Sequence, residues 1–137
     1  MLVLVDTNIW SLALRRHKTH LSESESEQIG ALRELIREGR ARIIGAIRQE
    51  LLSGIRDSAQ FERLRDELRA FPDEVLAPSD FEQAAHWSNE CRRRGIAGSG
   101  VDFLICSVAV ARGWQIFTLD ADFRTISKIV PIQLRAC

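Results

Sequence analysis

Acidic residues recur where this chain passes from an apolar run into a turn or a helix. Asp6 follows Leu2-Val3-Leu4-Val5, Asp102 opens the apolar stretch Val101 to Arg112, and Asp120 and Asp122 follow Gln115-Ile116-Phe117-Thr118. Glu50 is the exception, lying inside a helical stretch beside the stripe of Ile47, Leu51, Gly54 and Ile55, a position expected to face the interior edge. Carboxylates gathered at one place repel one another and take up protons unless a cation neutralises them. Hard oxygen donors with no histidine or cysteine nearby suit Mg2+, with Mn2+ as a substitute, and not zinc. Such a centre can hydrolyse a phosphodiester by activating water, with no side-chain nucleophile. Each acid also has a purely structural use. Asp6 and Asp120 can cap helices, Asp102 can pair with Ser99 in a capping box, and Glu50 can be a solvated helix residue.

Other chemistries are poorly supplied. His17, His20 and His86 have no serine or cysteine partner at recognisable spacing, and neither a Walker loop nor a GxGxxG pattern occurs. Cys91, Cys106 and Cys137 form no CxxC pair and leave an odd number, which argues against a disulfide framework and for a reducing, cytoplasmic setting. The N-terminal apolar run is too short for a signal segment or a membrane span, so the chain is expected to be soluble, with no membrane partner. Nineteen basic and nineteen acidic residues cancel, so any polyanion must be gripped locally and not by an overall basic field.

The elements that must position these acids follow from the hydrophobic pattern. Leu2 to Val5 is a β-branched apolar run without polar alternation, as in a parallel strand buried on both faces. Arg42-Ile43-Ile44, Glu74-Val75-Leu76 and Gln115 to Thr118 are further strand candidates, with Val130 to Leu134 a last one weakened by Pro131. Between them, helices are predicted over Ser22 to Gly39, Ala46 to Ile55, Ala59 to Phe71, from a capping box at Ser79-Asp80-Phe81-Glu82 to Gly95, and over Val101 to Arg112, which should be packed nearly all round. The alternating Ser-Glu run at Ser22 to Glu27 suits an exposed acidic helix start. Strand and helix alternate through 137 residues, which predicts one α/β domain over 1–137 with a central parallel sheet of about five strands. In such a sheet the carboxyl ends of the strands share one edge, where distant acids converge.

Taken together, Val5-Asp6-Thr7-Asn8-Ile9-Trp10, Glu50 on a helix after the second strand, Val101-Asp102-Phe103-Leu104-Ile105 and Phe117-Thr118-Leu119-Asp120-Ala121-Asp122-Phe123 resemble the PIN domain, and more narrowly the VapC toxins of toxin–antitoxin pairs. The resemblance spans essentially the whole chain. It implies an α/β/α sandwich that binds one or two divalent cations and cuts RNA, with Asp6, Glu50, Asp102 and Asp120 as metal-binding catalytic acids and Asp122 as a more variable fifth. It also implies that Thr7, Asn8 and Thr118 orient the carboxylates, that the chain forms a homodimer, and that a cognate antitoxin blocks the groove. For RNA contact, Arg92-Arg93-Arg94 is the best basic patch and Arg15, Arg16, His17 and Lys18 the second; a solvated helix end is the alternative use. The competing readings are a Mg2+-dependent phosphatase or phosphotransfer domain, though Asn8 stands where a dehalogenase would have its second aspartate, and a catalytically silent binding module. Trp10, Trp87 and Trp114 are expected in core or interface positions.

Overall fold

The N-terminal apolar run becomes strand β1 (Val3–Val5), whose residues are fully buried in the computed structural model of the protein. Residues 1–14 and 20–136 are described; the second basic cluster, Arg15 to Lys18, and Cys137 lie outside the described residues. Strands β2 (Ala41–Arg42), β3 (Gln115–Phe117) and β4 (Gln133–Leu134) complete a four-stranded sheet in the order β2-β1-β3-β4. Every pairing is parallel, as the unalternated apolar runs predict. The chain reaches the two neighbours of β1 by crossovers toward opposite edges. Right-handed connections therefore carry helices to both faces, the α/β/α arrangement.

Helices α1 (Thr7–Leu14) and α2 (Glu23–Arg37) link β1 to β2. Then α3 (Gly45–Leu52), α4 (Ser58–Leu68), α5 (Pro78–Arg93) and α6 (Gly100–Arg112) lead to β3, and α7 (Asp122–Ile126) leads to β4. Helix α6 packs against α5, β1 and β3, and its run Phe103 to Ala109 is buried without a break. That agrees with the expectation of near-complete packing. Trp10 is fully buried: its indole N–H donates to the Val5 carbonyl at 3.0 Å and its ring lies 4.9 Å from that of Phe71. This pins α1 to the end of β1. Trp114 is buried as well and Trp87 half-buried, in keeping with structural use of the tryptophans. Among the described residues no helix is long and apolar enough to cross a membrane.

The departures from the expected elements are local. Glu74-Val75-Leu76 is not a strand. Its neighbour Asp73 makes one parallel bridge to Ile43, after which Val75 turns outward at 85% exposure, so the sheet has four strands where about five were expected. The last strand shrinks to two residues because Pro131 has no amide to give the ladder. The Ser79–Glu82 capping box does not form. Pro78, with its fixed φ, takes the first position of α5, and the Asp80 carboxylate turns back to accept the Ala77 amide at 2.9 Å. At Ser22 the expected acidic start is realised as a reciprocal box, Ser22 Oγ accepting from the Glu25 amide and Glu25 Oε1 from that of Ser22.

Candidate active site

Parallel register assembles the centre of the site. Val5 lies beside Phe117, so the next residues, Asp6 and Thr118, leave adjacent strands side by side at the carboxyl edge, and the Asp6 amide donates to the Phe117 carbonyl at 2.9 Å. The Asp6 carbonyl accepts the amides of Ile9 and Trp10, the first bonds of α1. Its side chain goes elsewhere. Oδ1 accepts the Thr7 backbone amide at 2.7 Å, and Oδ2 accepts the Thr118 hydroxyl at 2.7 Å and the side-chain Nδ2–H of Asn8 at 3.4 Å. Thr118 Oγ1 in turn accepts the Asp120 amide at 3.0 Å, while Asn8 Oδ1 accepts that of Leu119 at 3.1 Å. Thr7, Asn8 and Thr118 thus bind the β1 and β3 exits into one hydrogen-bonded unit.

Glu50 arrives from α3. Its side chain is exposed, against the expectation that it faces the interior, yet its carboxylate accepts the Thr7 hydroxyl at 2.6 Å. Asp102 arrives from α6, which runs antiparallel to β3 and so presents its N-terminus at the carboxyl edge. Its Oδ2 accepts the Ser99 amide at 2.9 Å and its own amide donates to Ser99 Oγ at 3.1 Å. Capping and site membership coexist, because the box engages one carboxylate oxygen and leaves the other. Asp120 Oδ1 accepts the Asp122 amide at 2.9 Å, folding the loop so that both acids approach Asp102. Asp102, Asp120 and Asp122 each offer one oxygen, all within 4.8 Å of one another. Asp122 therefore stands closer to this cluster than sequence reasoning ranked it.

Asp6, Glu50, Asp102 and Asp120 line a cleft of about 810 Å³, joined by Ser11, Gln49 and Glu25, none of which the motifs had singled out as site residues. Arg92, Arg93 and Arg94 do not line it. They sit exposed at the end of α5, with Glu90 at 2.5 Å from Arg93 and 3.6 Å from Arg94, the arrangement of a solvated helix terminus.

Burial pushes the Asp6 carboxyl up to about 6, against the lowering effect of the Thr118 and Thr7 hydrogen bonds, with the Asp102 and Glu50 charges adding to the rise. Burial likewise raises Asp102 above the ordinary carboxylate range, reinforced by Asp120 and Asp122. Oxygen donors that repel one another, held by hydrogen bonds, are a donor set that fits a divalent cation. An acid raised by folding binds its proton more tightly in the folded chain, so stability is greatest at low pH and falls as pH rises from about 4 to 6. For Asp6 alone that loss is about 3 kcal/mol at most. In chelator, Asp6→Asn is expected to melt no lower than wild type at pH 7 and to lack this fall. Parallel pH-dependent slopes for the two proteins in denaturant titrations would show that Asp6 carries no such linkage.

Thr118→Val tests the supporting shell, since it keeps volume while deleting the hydroxyl shared by Asp6 and Asp120. The expected result is a 10–100-fold weaker affinity for Mn2+ by titration calorimetry, on the order found for outer-shell partners of metal ligands. An affinity within twofold of wild type would remove Thr118 from the site.

Comparison with known proteins bears on the whole arrangement. The PIN domain family model matches residues 3–129. The fold is similar to that of FitAcB from Neisseria gonorrhoeae, with a TM-score of 0.76 and 15% identity over 98% of this chain and 97% of that one. It is also similar to VapBC2 from Rickettsia felis bound to a DNA fragment from its promoter, with a TM-score of 0.70 and 18% identity over 98% of both chains. A toxin–antitoxin complex from Klebsiella pneumoniae has a TM-score of 0.67 and 20% identity over 96% of this chain and 99% of that one. Comparison with curated proteins gave no match.

Proposed function

Because the chain belongs to the PIN-domain family, we propose that it is a divalent-metal-dependent endoribonuclease and the toxin of a toxin–antitoxin pair. The observation that carries this reading is the convergence of Asp6, Glu50, Asp102 and Asp120 on one cleft at the carboxyl edge of the sheet, with Asp122 within 4.8 Å of Asp102 and Asp120. Asp102, Asp120 and Asp122 are the residues that would hold the ion most directly, with Asp6 and Glu50 completing the acidic wall. Mg2+, or Mn2+ in its place, supplies when bound charge neutralisation and activation of water for in-line phosphodiester hydrolysis. The chain's own part is to hold the acids in register. Thr118 and Thr7 keep the Asp6 oxygens oriented toward the β1–β3 junction, Thr7 also tethers Glu50, and Ser99 fixes Asp102.

One structure that shares this fold, from Klebsiella pneumoniae, is described as a toxin–antitoxin complex, which supports a cognate antitoxin as partner. A homodimer, as the resemblance implies, in the reducing cytoplasm that the cysteine pattern suggests completes the proposal. The decisive experiment incubates the purified chain with single-stranded RNA across Mg2+ and Mn2+ concentrations, with a chelator control and sequencing of the product ends. Metal-dependent internal cleavage is expected. RNA left whole at every metal concentration would favour the silent binding module, and labelled phosphate transferred to the protein would favour a phosphotransfer domain.

A further inference from the structure

A second groove opens on the far side of Leu119 from the acidic cleft. It shares Leu119 and Asp120 with that cleft and is walled by Gln28 of α2, Arg124 of α7 and Arg135 just past β4. Gln28 is 6% exposed, yet its amide has no hydrogen-bond partner among the described residues. No fully buried polar atom is left unpaired among those residues, so what exposure Gln28 retains lies at the amide that faces the groove. The donors and acceptor of that amide are therefore reachable from the groove, where water or a ligand can engage them. Arg124 is exposed and pairs with no carboxylate among the described residues. Arg135 lies along the wall with its guanidinium carbon 4.9 Å from the Phe117 ring centroid.

We propose that this groove holds the nucleotide adjoining the scissile phosphate of a single-stranded RNA, with Arg124 on the phosphate and Gln28 on the base edge. The inference rests on the nuclease reading and deepens it. Acids repel a polyanion, and a chain of zero net charge offers no overall attraction, so the substrate needs a cation close to the acids. Arg124 supplies one across Leu119, whose 48% exposed side chain gives a base or sugar an apolar surface to rest on. The Gln28 amide is both donor and acceptor, the combination that reads the edge of an unstacked base. An acidic peptide would use Arg124 but would have no need of that paired donor and acceptor.

Two measurements test the groove without relying on turnover. Binding of a short fluorescent single-stranded RNA, followed by anisotropy in calcium over a range of salt, is expected to weaken roughly tenfold in Arg124→Ala, with the log–log salt slope reduced by about one; Arg124→Lys should keep the slope. Sequencing the bound fraction of a randomised RNA pool is expected to show a base preference that Gln28→Ala flattens without changing the salt slope. Wild-type affinity, slope and preference in both variants would overturn the proposal. So would an Arg124→Ala variant that loses only the binding of an acidic peptide. Failure of the nuclease reading is a different result, namely no cleavage in Mg2+ or Mn2+, and in that event the groove stands or falls on the binding data alone.

Discussion

Asp6→Asn is expected to lower metal-dependent RNA cleavage by at least roughly 10²–10³-fold, the range seen when one preorganised electrostatic group is deleted from an active site. The substitution changes little volume. Asparagine retains an oxygen to accept from Thr7 or Thr118, so the junction of β1 and β3 keeps most of its hydrogen bonds. What disappears is a negative charge at the most buried of the site acids, 6% exposed and hemmed in by Asp102 and Glu50. Asp102→Asn should give a comparable loss from a separate element, because the new side chain still offers an oxygen to the Ser99 amide and leaves the start of α6 capped. Single-turnover cleavage of a defined RNA, alongside near-ultraviolet circular dichroism to establish folding, provides the measurement. Cleavage within tenfold of wild type by both variants would show that the acids serve the fold and not the reaction.

How far this centre was legible in the sequence depends on which force places each residue. Asp6 and Thr118 were legible because burial dictates their strands and a parallel sheet gathers strand ends. Asp102 was legible because Ser99 three residues earlier marks a helix start. The closeness of Asp122 to the cluster was not, since it depends on one loop hydrogen bond to Asp120 that hydrophobic pattern does not encode. Glu50 was placed on the right helix with the wrong exposure, because its orientation is decided by a partner 43 residues away, Thr7. Val75 and Leu76 looked like strand by composition, and only tertiary pairing shows that the ladder ends at Asp73. Gln28 left a usable signal. It occupies the apolar stripe of α2 with Leu32 and Leu35, where a polar residue asks for a partner.

The largest expected change in stability lies at the far end of α6. Arg112 donates to both carboxylate oxygens of Asp80, at 2.9 and 3.0 Å, to Glu74, and to the carbonyl of Val75 at 3.0 Å. It therefore clamps the segment that failed to become a strand, together with the start of α5, onto α6. Asp80 is 5% exposed, and the guanidinium holds its carboxyl below the ordinary range. Arg112→Met keeps the apolar stem but leaves that carboxylate buried without its cation, which is expected to cost about 3–5 kcal/mol. Against a total of about 5–15 kcal/mol for a protein of this kind, that is a large share. A carboxyl lowered by folding contributes stability above its unfolded value near pH 4 and loses it as pH falls further, so the gap between wild type and variant should narrow in acid. Adding Asp80→Asn to Arg112→Met should recover part of the loss, because the uncompensated charge is then gone. Cleavage at low temperature should survive, since Arg112 and Asp102 occupy opposite ends of the helix. Denaturant titrations that place Arg112→Met within about 1 kcal/mol of wild type, the size of an ordinary surface pair, would show that this ion pair does not hold the segment in place.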